Sequence, residues 1–366
     1  MKILYLLLLV VVAILLQRYS TSHALDGMSY EILPDKQLVE CDEVFSVRTV
    51  LKNKKLLPVL FLRLGETVPI SMRIEQSSAD VARKSAKSAI IGDNDEIWQT
   101  MYLMPRQMLS RDLRVSFPER GRYLFRTATL TGGDLLGFQE ITERIDSNKE
   151  IIVMPKRMES ASLNNAFGNY MGDISVQRFI LSDPILTIGF RDYTGREPQR
   201  DISWPATLRR GGNHLMVKQY DYTAEITATV ILDIHNGTEA EIERCYSYAR
   251  TICEMLENKR VNYGFFTDAR CADALGLWNY IGFGLGHRHL FRILEGLGRA
   301  TYEPTRSLES TLLHTERECE TSTGFILITP KLDAEGLAAV RSFESRNARK
   351  VMILQTELDS GKENAG

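Results

Sequence analysis

The chain has 366 residues, 44% of them hydrophobic and 25% charged, and its formal net charge at pH 7 is −2. That length exceeds one typical domain and suits two, and the composition excludes disordered, collagen-like and multi-span membrane proteins. Without an excess of basic residues, the chain also lacks the overall electrostatic attraction of a nucleic-acid-binding protein.

The chain begins with an unbroken apolar run, Ile3–Leu16, that follows Lys2. Its short length, its basic start and the small residues of Ser22-x-Ala24 are typical of a removable signal peptide. A retained membrane anchor over residues 1–19 is the alternative, because Lys2 and Arg18 can extend toward the membrane surface and lengthen the span.

The cysteines bear on this choice. Five of them are scattered along the chain, and no two have the spacing of a zinc knuckle or a redox motif. An odd number in a chain large enough to build a hydrophobic core indicates free thiols in a reducing compartment. We therefore favour a retained anchor, which predicts a single-pass protein of the cell membrane with its soluble domains in the cytoplasm.

Residues 26–155 have the pattern of an all-β domain. Runs such as Val44–Val50 and Leu113–Phe117 alternate apolar with polar residues, and turn residues such as Glu119-Arg120-Gly121 separate the runs. Many short strands at nearly regular spacing are typical of a β-sandwich.

Residues 156–190 show no clear periodicity, and we interpret them as a linker. In residues 191–358 predicted strands alternate with predicted helices, which indicates a mostly parallel sheet covered by helices on both faces; residues 359–366 are predicted to be a frayed tail. The predicted fold class is therefore α+β multidomain, with an N-terminal membrane helix, a β-sandwich and an α/β domain. The α/β strands are Glu225–Asp233, Asn262–Thr267, Gly324–Thr329 and Lys350–Gln355, and three of its helices are His289–Leu297, Leu308–Glu320 and Asp333–Asn347.

Asp233 ends the first of these strands, where binding sites of parallel sheets form. A divalent-ion site of the von Willebrand A type needs Asp-x-Ser-x-Ser here, but His235 and Gly237 replace the serines. Thr238-x-x-Glu241 instead predicts a capping box at the start of a helix. We favour the helix cap and predict no metal and no cofactor. No G-x-S-x-G, Walker loop or H-E-x-x-H is present, so no catalytic set assembles.

The segment from Gly189 to Tyr222 carries the densest mixture of charged and aromatic residues. Two interpretations stay open: a network of ion pairs and cation–π contacts that pins the linker to the second domain, or a docking surface for a partner protein. The candidate residues are Arg191, Asp192, Tyr193, Arg200, Asp201, Trp204 and Arg209.

This segment resembles the signature of the domain-of-unknown-function 58 family. The matching residues are Arg191-Asp192-Tyr193, Gly195 through Arg200, Ile202-x-Trp204, and Ala206 with Arg209. The resemblance implies a membrane-anchored protein with a β-sandwich and a degenerate von Willebrand A-like domain. It also implies association with MoxR-type AAA+ ATPases, which are cytoplasmic.

These observations together predict a bacterial, membrane-anchored, non-enzymatic adaptor or scaffold that works with a MoxR-type AAA+ ATPase in the maturation of protein complexes. Two alternatives stay open. One is an extracytoplasmic protein-binding module, and the other is a cryptic metal-dependent hydrolase that uses Asp233 and His235.

Overall fold

The structure is a computed structural model that describes residues 7–8, 25–77, 88–91, 94–133, 140–178, 187–211, 214–220, 226–272, 278–319 and 324–356. The chain divides into two compact units. The first comprises Met1–Lys156 together with Leu294–Ala300, and the second comprises Arg157–Ile293 together with Thr301–Gly366.

The first unit is a β-sandwich. One sheet has the strand order β1-β3-β8-β5 and the other has the order β2-β10-β9-β4-β7-β6. Neighbouring strands are antiparallel, except that β2 runs parallel to β10. The strands are β1 (Met28–Pro34), β2 (Leu38–Val39), β3 (Phe45–Asn53), β4 (Val59–Pro69), β5 (Arg73–Ser77), β6 (Ser88–Ile91), β7 (Asn94–Leu103), β8 (Met108–Ser116), β9 (Gly121–Gly133) and β10 (Glu140–Val153).

One hydrophobic core fills the space between the two sheets. Val47 and Val115 enter it from the four-stranded sheet, and Leu62, Leu130 and Val153 enter it from the six-stranded sheet. Apolar residues alternate with polar ones along β3, so one face of the strand is buried. Burying each such side chain contributes about 1.5–3 kcal/mol, and this core holds the sandwich together.

The second unit is built on a five-stranded sheet of order β16-β14-β13-β18-β19. Strands β14, β13, β18 and β19 run parallel, and β16 pairs antiparallel with β14 at one edge. The strands are β13 (Thr227–Leu232), β14 (Asn262–Thr267), β16 (Tyr280–Gly284), β18 (Gly324–Thr329) and β19 (Val351–Gln355). The helices are α1 (Ala161–Arg178), α3 (Glu239–Asn258), α4 (His287–Arg299), α5 (Leu308–Glu318) and α6 (Ala334–Asn347). Residues 294–299 of α4 belong to the first unit.

Side chains on both faces of the central strands are buried. Ile231, Phe266 and Leu327 are paired across the sheet and share a core with Leu312 of α5 and Phe343 of α6. The residues that alternate with them along β13, β14 and β18 are buried as well. This burial on both faces explains why the strands are continuous apolar runs.

Two small sheets complete the unit. Strands β11 (Thr187–Asp192) and β12 (Met216–Tyr220) form an antiparallel pair, and β15 (Ala269–Cys271) pairs with β17 (Ala300–Pro304). A short 3-10 helix (Gln199–Asp201) and helix α2 (Trp204–Arg209) lie between β11 and β12 in sequence.

The predicted fold class is corrected, although its β-sandwich is confirmed. Strands account for 44% of the structure and helices for 30%, spread over five sheets in the described residues, of which several are mixed. The two small sheets, β11 with β12 and β15 with β17, add strands that the predicted strand–helix alternation does not include. The predicted N-terminal membrane helix, residues 1–19, lies outside the described residues apart from positions 7 and 8.

The predicted location is corrected too. Among the residues that the structure describes, no helix is both long and apolar enough to cross a membrane. The expectation of a single-pass membrane protein therefore has no support among the described residues.

Several local predictions are confirmed and one is not. Strands β14 and β18 occupy the predicted residues, and α6 follows Asp333 as its N-cap. The stretch interpreted as an unpatterned linker contains α1, whose buried residues recur every three or four positions, as a helical face requires. They are Leu163, Phe167, Met171 and Ile174.

Candidate functional site

Two carboxylates meet at the carboxyl edge of the five-stranded sheet. Asp233 directly follows β13 and Asp268 directly follows β14. Because Leu232 pairs with Thr267 in the parallel register, the next residue of each strand lies at the same edge. Asp233 is 1% exposed and Asp268 is fully buried.

His235 joins the two carboxylates from the loop that follows β13. Its Nδ1 lies 3.4 Å from Oδ2 of Asp268, and its side chain is 38% exposed. One potential ligand atom from each of Asp233, His235 and Asp268 lies within 4.8 Å of the others. We call these three residues the edge cluster.

Neighbouring groups hold both carboxylates by hydrogen bonds. The hydroxyl of Thr329 donates to Oδ2 of Asp233 at 2.7 Å, and the backbone N–H of Ile234 donates to Oδ1 of Asp268 at 3.0 Å. The remaining oxygen of Asp233, Oδ1, is buried and has no hydrogen-bond partner among the described residues. A buried acceptor without a donor is costly, so this oxygen marks a position where a positive group would be stabilised.

The environment opposes ionisation of both carboxyl groups. Burial raises the pKa of Asp233 above its usual range. Burial, together with the neighbouring Asp233 carboxylate, raises the pKa of Asp268 to about 8. Two buried like charges repel strongly at this separation, so the pair either retains a proton or needs a nearby cation.

A cleft of about 390 Å³ adjoins the edge cluster. Its walls come from the loops after β13 and β18 and from the starts of α5 and α6. Asp233 and His235 lie at one side of it, and Ser307, Lys331 and Asp333 line other parts. Asp333 is the N-cap of α6, since its Oδ1 accepts a hydrogen bond from the N–H of Gly336 at 2.7 Å.

The predicted capping box is confirmed. The hydroxyl of Thr238 accepts the N–H of Glu241, and the carboxylate of Glu241 accepts the N–H of Thr238 at 2.8 Å. The cap uses neither Asp233 nor His235. The helix start and the edge cluster are therefore compatible, although the sequence analysis treated them as alternatives.

The sequence points to Asp233 and His235 but not to Asp268. The signal was present, because Asp268 directly follows the predicted strand Asn262–Thr267. It becomes informative only when that strand is known to lie beside β13 in the sheet.

Gly237 stands where a von Willebrand A-type motif has its second serine. A Cβ atom at this position would lie 2.6 Å from Cγ of Pro330 and 3.0 Å from Cγ1 of Ile242. Those distances leave no room for a side chain. Packing therefore explains why the serine is absent. The groups at this edge are carboxyl and imidazole side chains, whereas the von Willebrand A-type motif also uses serine hydroxyls.

The residues of the predicted docking or pinning segment lie on and between β11 and β12. Arg191 forms an ion pair with Glu197 at 2.6 Å, and Arg210 forms one with Asp192 at 3.1 Å. Arg200 lies 3.9 Å from Asp201. Each of these ion pairs joins two residues of the segment itself, so they stabilise the segment internally.

Glu197 holds the loop after β11. Its carboxylate accepts two hydrogen bonds from Thr194, one from the hydroxyl at 2.8 Å and one from the backbone N–H at 3.0 Å. These bonds and the Arg191 guanidinium lower the pKa of Glu197 to about 2. Gly195 has a φ of +87°, which glycine adopts without strain. This loop therefore has a defined conformation at neutral pH.

Trp204 is not a core residue. Its side chain is 62% exposed and that of Leu208, one helical turn later on α2, is 74% exposed. Arg200 and Arg209 are also exposed, whereas Tyr193 is half-buried. The buried side of α2 is held by Thr207, whose hydroxyl accepts the N–H of Met216 at 2.9 Å. We call Arg191, Arg200, Trp204, Leu208 and Arg209 the hairpin surface.

Comparisons with known proteins leave the family open. No family model matches the chain, and no curated protein matches it. Among solved structures, it is similar to a cohesin module of a family 33 glycoside hydrolase from Clostridium perfringens, with 12% identity over 35% of this chain and 96% of that one and a TM-score of 0.25. A non-cellulosomal cohesin from Archaeoglobus fulgidus gives 10% identity over 37% and 96%, with a TM-score of 0.23.

A CARDB domain from Pyrococcus furiosus, solved with two metal ions, gives 14% identity over 34% of this chain and 91% of that one, with a TM-score of 0.22. All three TM-scores are too low to support a statement about a site or an activity.

Proposed function

We propose that this chain is a non-enzymatic adaptor that binds a partner protein through the hairpin surface. The observation that carries the proposal is the exposure of Trp204 and Leu208 one turn apart on the same helix. An isolated exposed leucine is ordinary, but a tryptophan beside a leucine and several arginines has the composition of an interface centre.

The hairpin surface is also held in place before any partner arrives. The ion pairs Arg191–Glu197 and Arg210–Asp192 lie within the segment, and Thr207 ties α2 to β12. A surface that is already ordered loses less conformational entropy on binding. This favours recognition by a fixed shape over folding on contact.

The chemistry of the surface indicates its partner. Trp204 and Leu208 call for an apolar pocket, and the exposed guanidinium of Arg209, next to Leu208 in the chain, suits a carboxylate. Arg191 and Arg200 each lie beside an acidic residue of the segment itself, so they contribute less to binding a partner. The resemblance to the domain-of-unknown-function 58 family adds a class, a MoxR-type AAA+ ATPase. The partner we propose is therefore an ATPase of that class with an apolar pocket bordered by acidic residues.

Binding between the purified full chain and a purified MoxR-type ATPase from the same organism tests the proposal, measured by biolayer interferometry with and without ATP. We expect Trp204→Ala to weaken binding at least about tenfold, which is about 1.4 kcal/mol. Leu56→Ala is the matched control, since Leu56 is 70% exposed and lies in the first unit.

Either of two results would refute the proposal. If the wild-type chain does not bind the ATPase with or without ATP, the proposed partner is wrong. If Trp204→Ala binds the ATPase as tightly as Leu56→Ala does, the hairpin surface is not the binding surface.

A further inference from the structure

We infer that the edge cluster, Asp233, His235 and Asp268, is a binding site for a divalent transition-metal ion. The inference does not depend on the hairpin surface or on its partner. It rests on the spacing of three ligand atoms, on one unpartnered buried oxygen and on the charge of the surrounding groups.

The spacing suits a single ion. Ligand atoms at about 2.1 Å from one metal lie roughly 3–4.2 Å from one another in tetrahedral or octahedral arrangements. The ligand atoms of the edge cluster lie within 4.8 Å of one another. Small side-chain rotations, within the reach of the half-exposed His235, bring them to coordinating distance.

The unpartnered oxygen is an independent indication. Oδ1 of Asp233 is buried without a hydrogen-bond donor among the described residues, while its partner Oδ2 is held by Thr329. Thr329 thus orients the carboxylate and leaves Oδ1 available. Outer hydrogen bonds of this kind commonly fix the direction of a metal ligand.

No basic side chain of the lysine or arginine type compensates the two carboxyl groups. In the described residues, neither Asp233 nor Asp268 forms an ion pair with an arginine or a lysine, and the one ion-pair partner is His235. A divalent ion would supply positive charge to both carboxyl groups and would bind the imidazole in its neutral form, as metals do.

The ligand types indicate which ions bind. Two carboxylate oxygens and one imidazole nitrogen suit Mn²⁺ or Zn²⁺ better than Ca²⁺, which prefers oxygen ligands alone. The cleft of about 390 Å³ beside Asp233 and His235 has room for water or for a ligand group from a bound molecule. The site therefore differs from the serine-based motif that Gly237 rules out.

Isothermal titration of the full chain with MnCl₂, after removal of metal with EDTA and dialysis, tests this inference. Mn²⁺ is the main probe because Zn²⁺ also binds thiols, and Cys41 and Cys271 are partly exposed. We expect one saturable Mn²⁺ site per chain, with affinity at least tenfold lower in Asp268→Asn and in His235→Ala. CaCl₂ should bind more weakly than MnCl₂.

Asp333→Asn is the matched control. Asp333 lines the same cleft but lies outside the edge cluster, and asparagine is an equally good N-cap, so Mn²⁺ affinity should stay unchanged. Circular dichroism verifies that each variant is folded. If Asp268→Asn does not fold, His235→Ala alone tests the role of the edge cluster in Mn²⁺ binding.

The inference is overturned if the wild-type chain shows no saturable Mn²⁺ binding. It is also overturned if Asp333→Asn weakens binding as much as the cluster variants do, or if His235→Ala leaves the affinity unchanged.

Discussion

Nη1 of Arg120 donates a hydrogen bond to the backbone oxygen of Leu297 at 2.8 Å and a second one to Ala300 at 2.6 Å. All three residues belong to the first unit and are buried. The guanidinium thus satisfies a carbonyl group in the last turn of α4, which has no partner within the helix, and the carbonyl group of Ala300 at the start of β17. Arg120 directly precedes β9, and these contacts give it a structural role.

Arg120→Ala should lower the free energy of unfolding by about 3 kcal/mol, because two buried carbonyl groups lose a charged donor. Urea denaturation measures the change. Arg48→Ala is the control, since Arg48 forms an exposed ion pair with Asp112 at 2.7 Å and should cost less than about 1 kcal/mol. Equal losses in the two variants would contradict the structural role.

Trp204→Ala should change the free energy of unfolding by less than about 0.5 kcal/mol, because the side chain is mostly exposed. Phe343→Ala should cost about 3–5 kcal/mol, since Phe343 is fully buried in the core that α6 shares with the sheet. Urea denaturation of both variants makes the comparison. A large loss in Trp204→Ala would place the tryptophan in the core.

Thr238→Ala should lower the free energy of unfolding by about 1 kcal/mol, because α3 loses the side-chain half of its capping box. Thr238→Ser keeps the hydroxyl and should restore most of that stability. Thermal unfolding of the three proteins at one pH provides the measurement. Identical stability of the alanine and serine variants would show that the hydroxyl contributes nothing.

The thiols should fall into two classes when the native protein is titrated with Ellman's reagent. Cys41 and Cys271 are partly exposed and should react, whereas Cys245, Cys253 and Cys319 are buried and should be protected. Burial also raises the pKa of the Cys319 thiol to about 11, and it raises those of Cys245 and Cys253 further. Five thiols should react after denaturation, and rapid reaction of all five in the native state would contradict the burial.

Stability should fall on mild acidification partly because of His289. Its Nε2 lies 2.9 Å from the backbone oxygen of Tyr263, and burial lowers its pKa, with Glu257 acting in the opposite direction and Arg292 in the same one. An unfolded histidine titrates near pH 6.5. Below that pH the unfolded chain binds more protons than the folded one, so the free energy of unfolding decreases.

The wild-type protein should therefore lose more stability between pH 7 and pH 5 than His289→Gln, in which the side chain does not titrate. Urea denaturation at both pH values measures the two losses. Parallel losses in the two proteins would show that His289 does not contribute.

Local signals account for what the sequence predicted correctly. The capping box at Thr238 and the strand Asn262–Thr267 depend on residues within a few positions of one another, so the local sequence is enough to predict them. The same holds for the alternating runs of the sandwich. Helix α1 was missed although its apolar spacing is helical, because Gly168 and Gly172 lower the helix propensity of the stretch.

Features that depend on distant residues were not predictable in this way. The meeting of Asp233 and Asp268 requires the parallel pairing of β13 with β14, which joins residues more than thirty positions apart. The exposure of Trp204 depends on which side of α2 packs against β12. A tryptophan in the core and a tryptophan at an interface look the same in the sequence, so only the structure separates the two interpretations.

The close approach of Gly237 to Pro330 also limits how this edge of the sheet can be redesigned. A serine at position 237 needs space that the proline ring occupies, so Gly237→Ser alone should destabilise the fold. A serine-based ligand set can be engineered here only together with a smaller residue at position 330, so the two positions have to change as a pair.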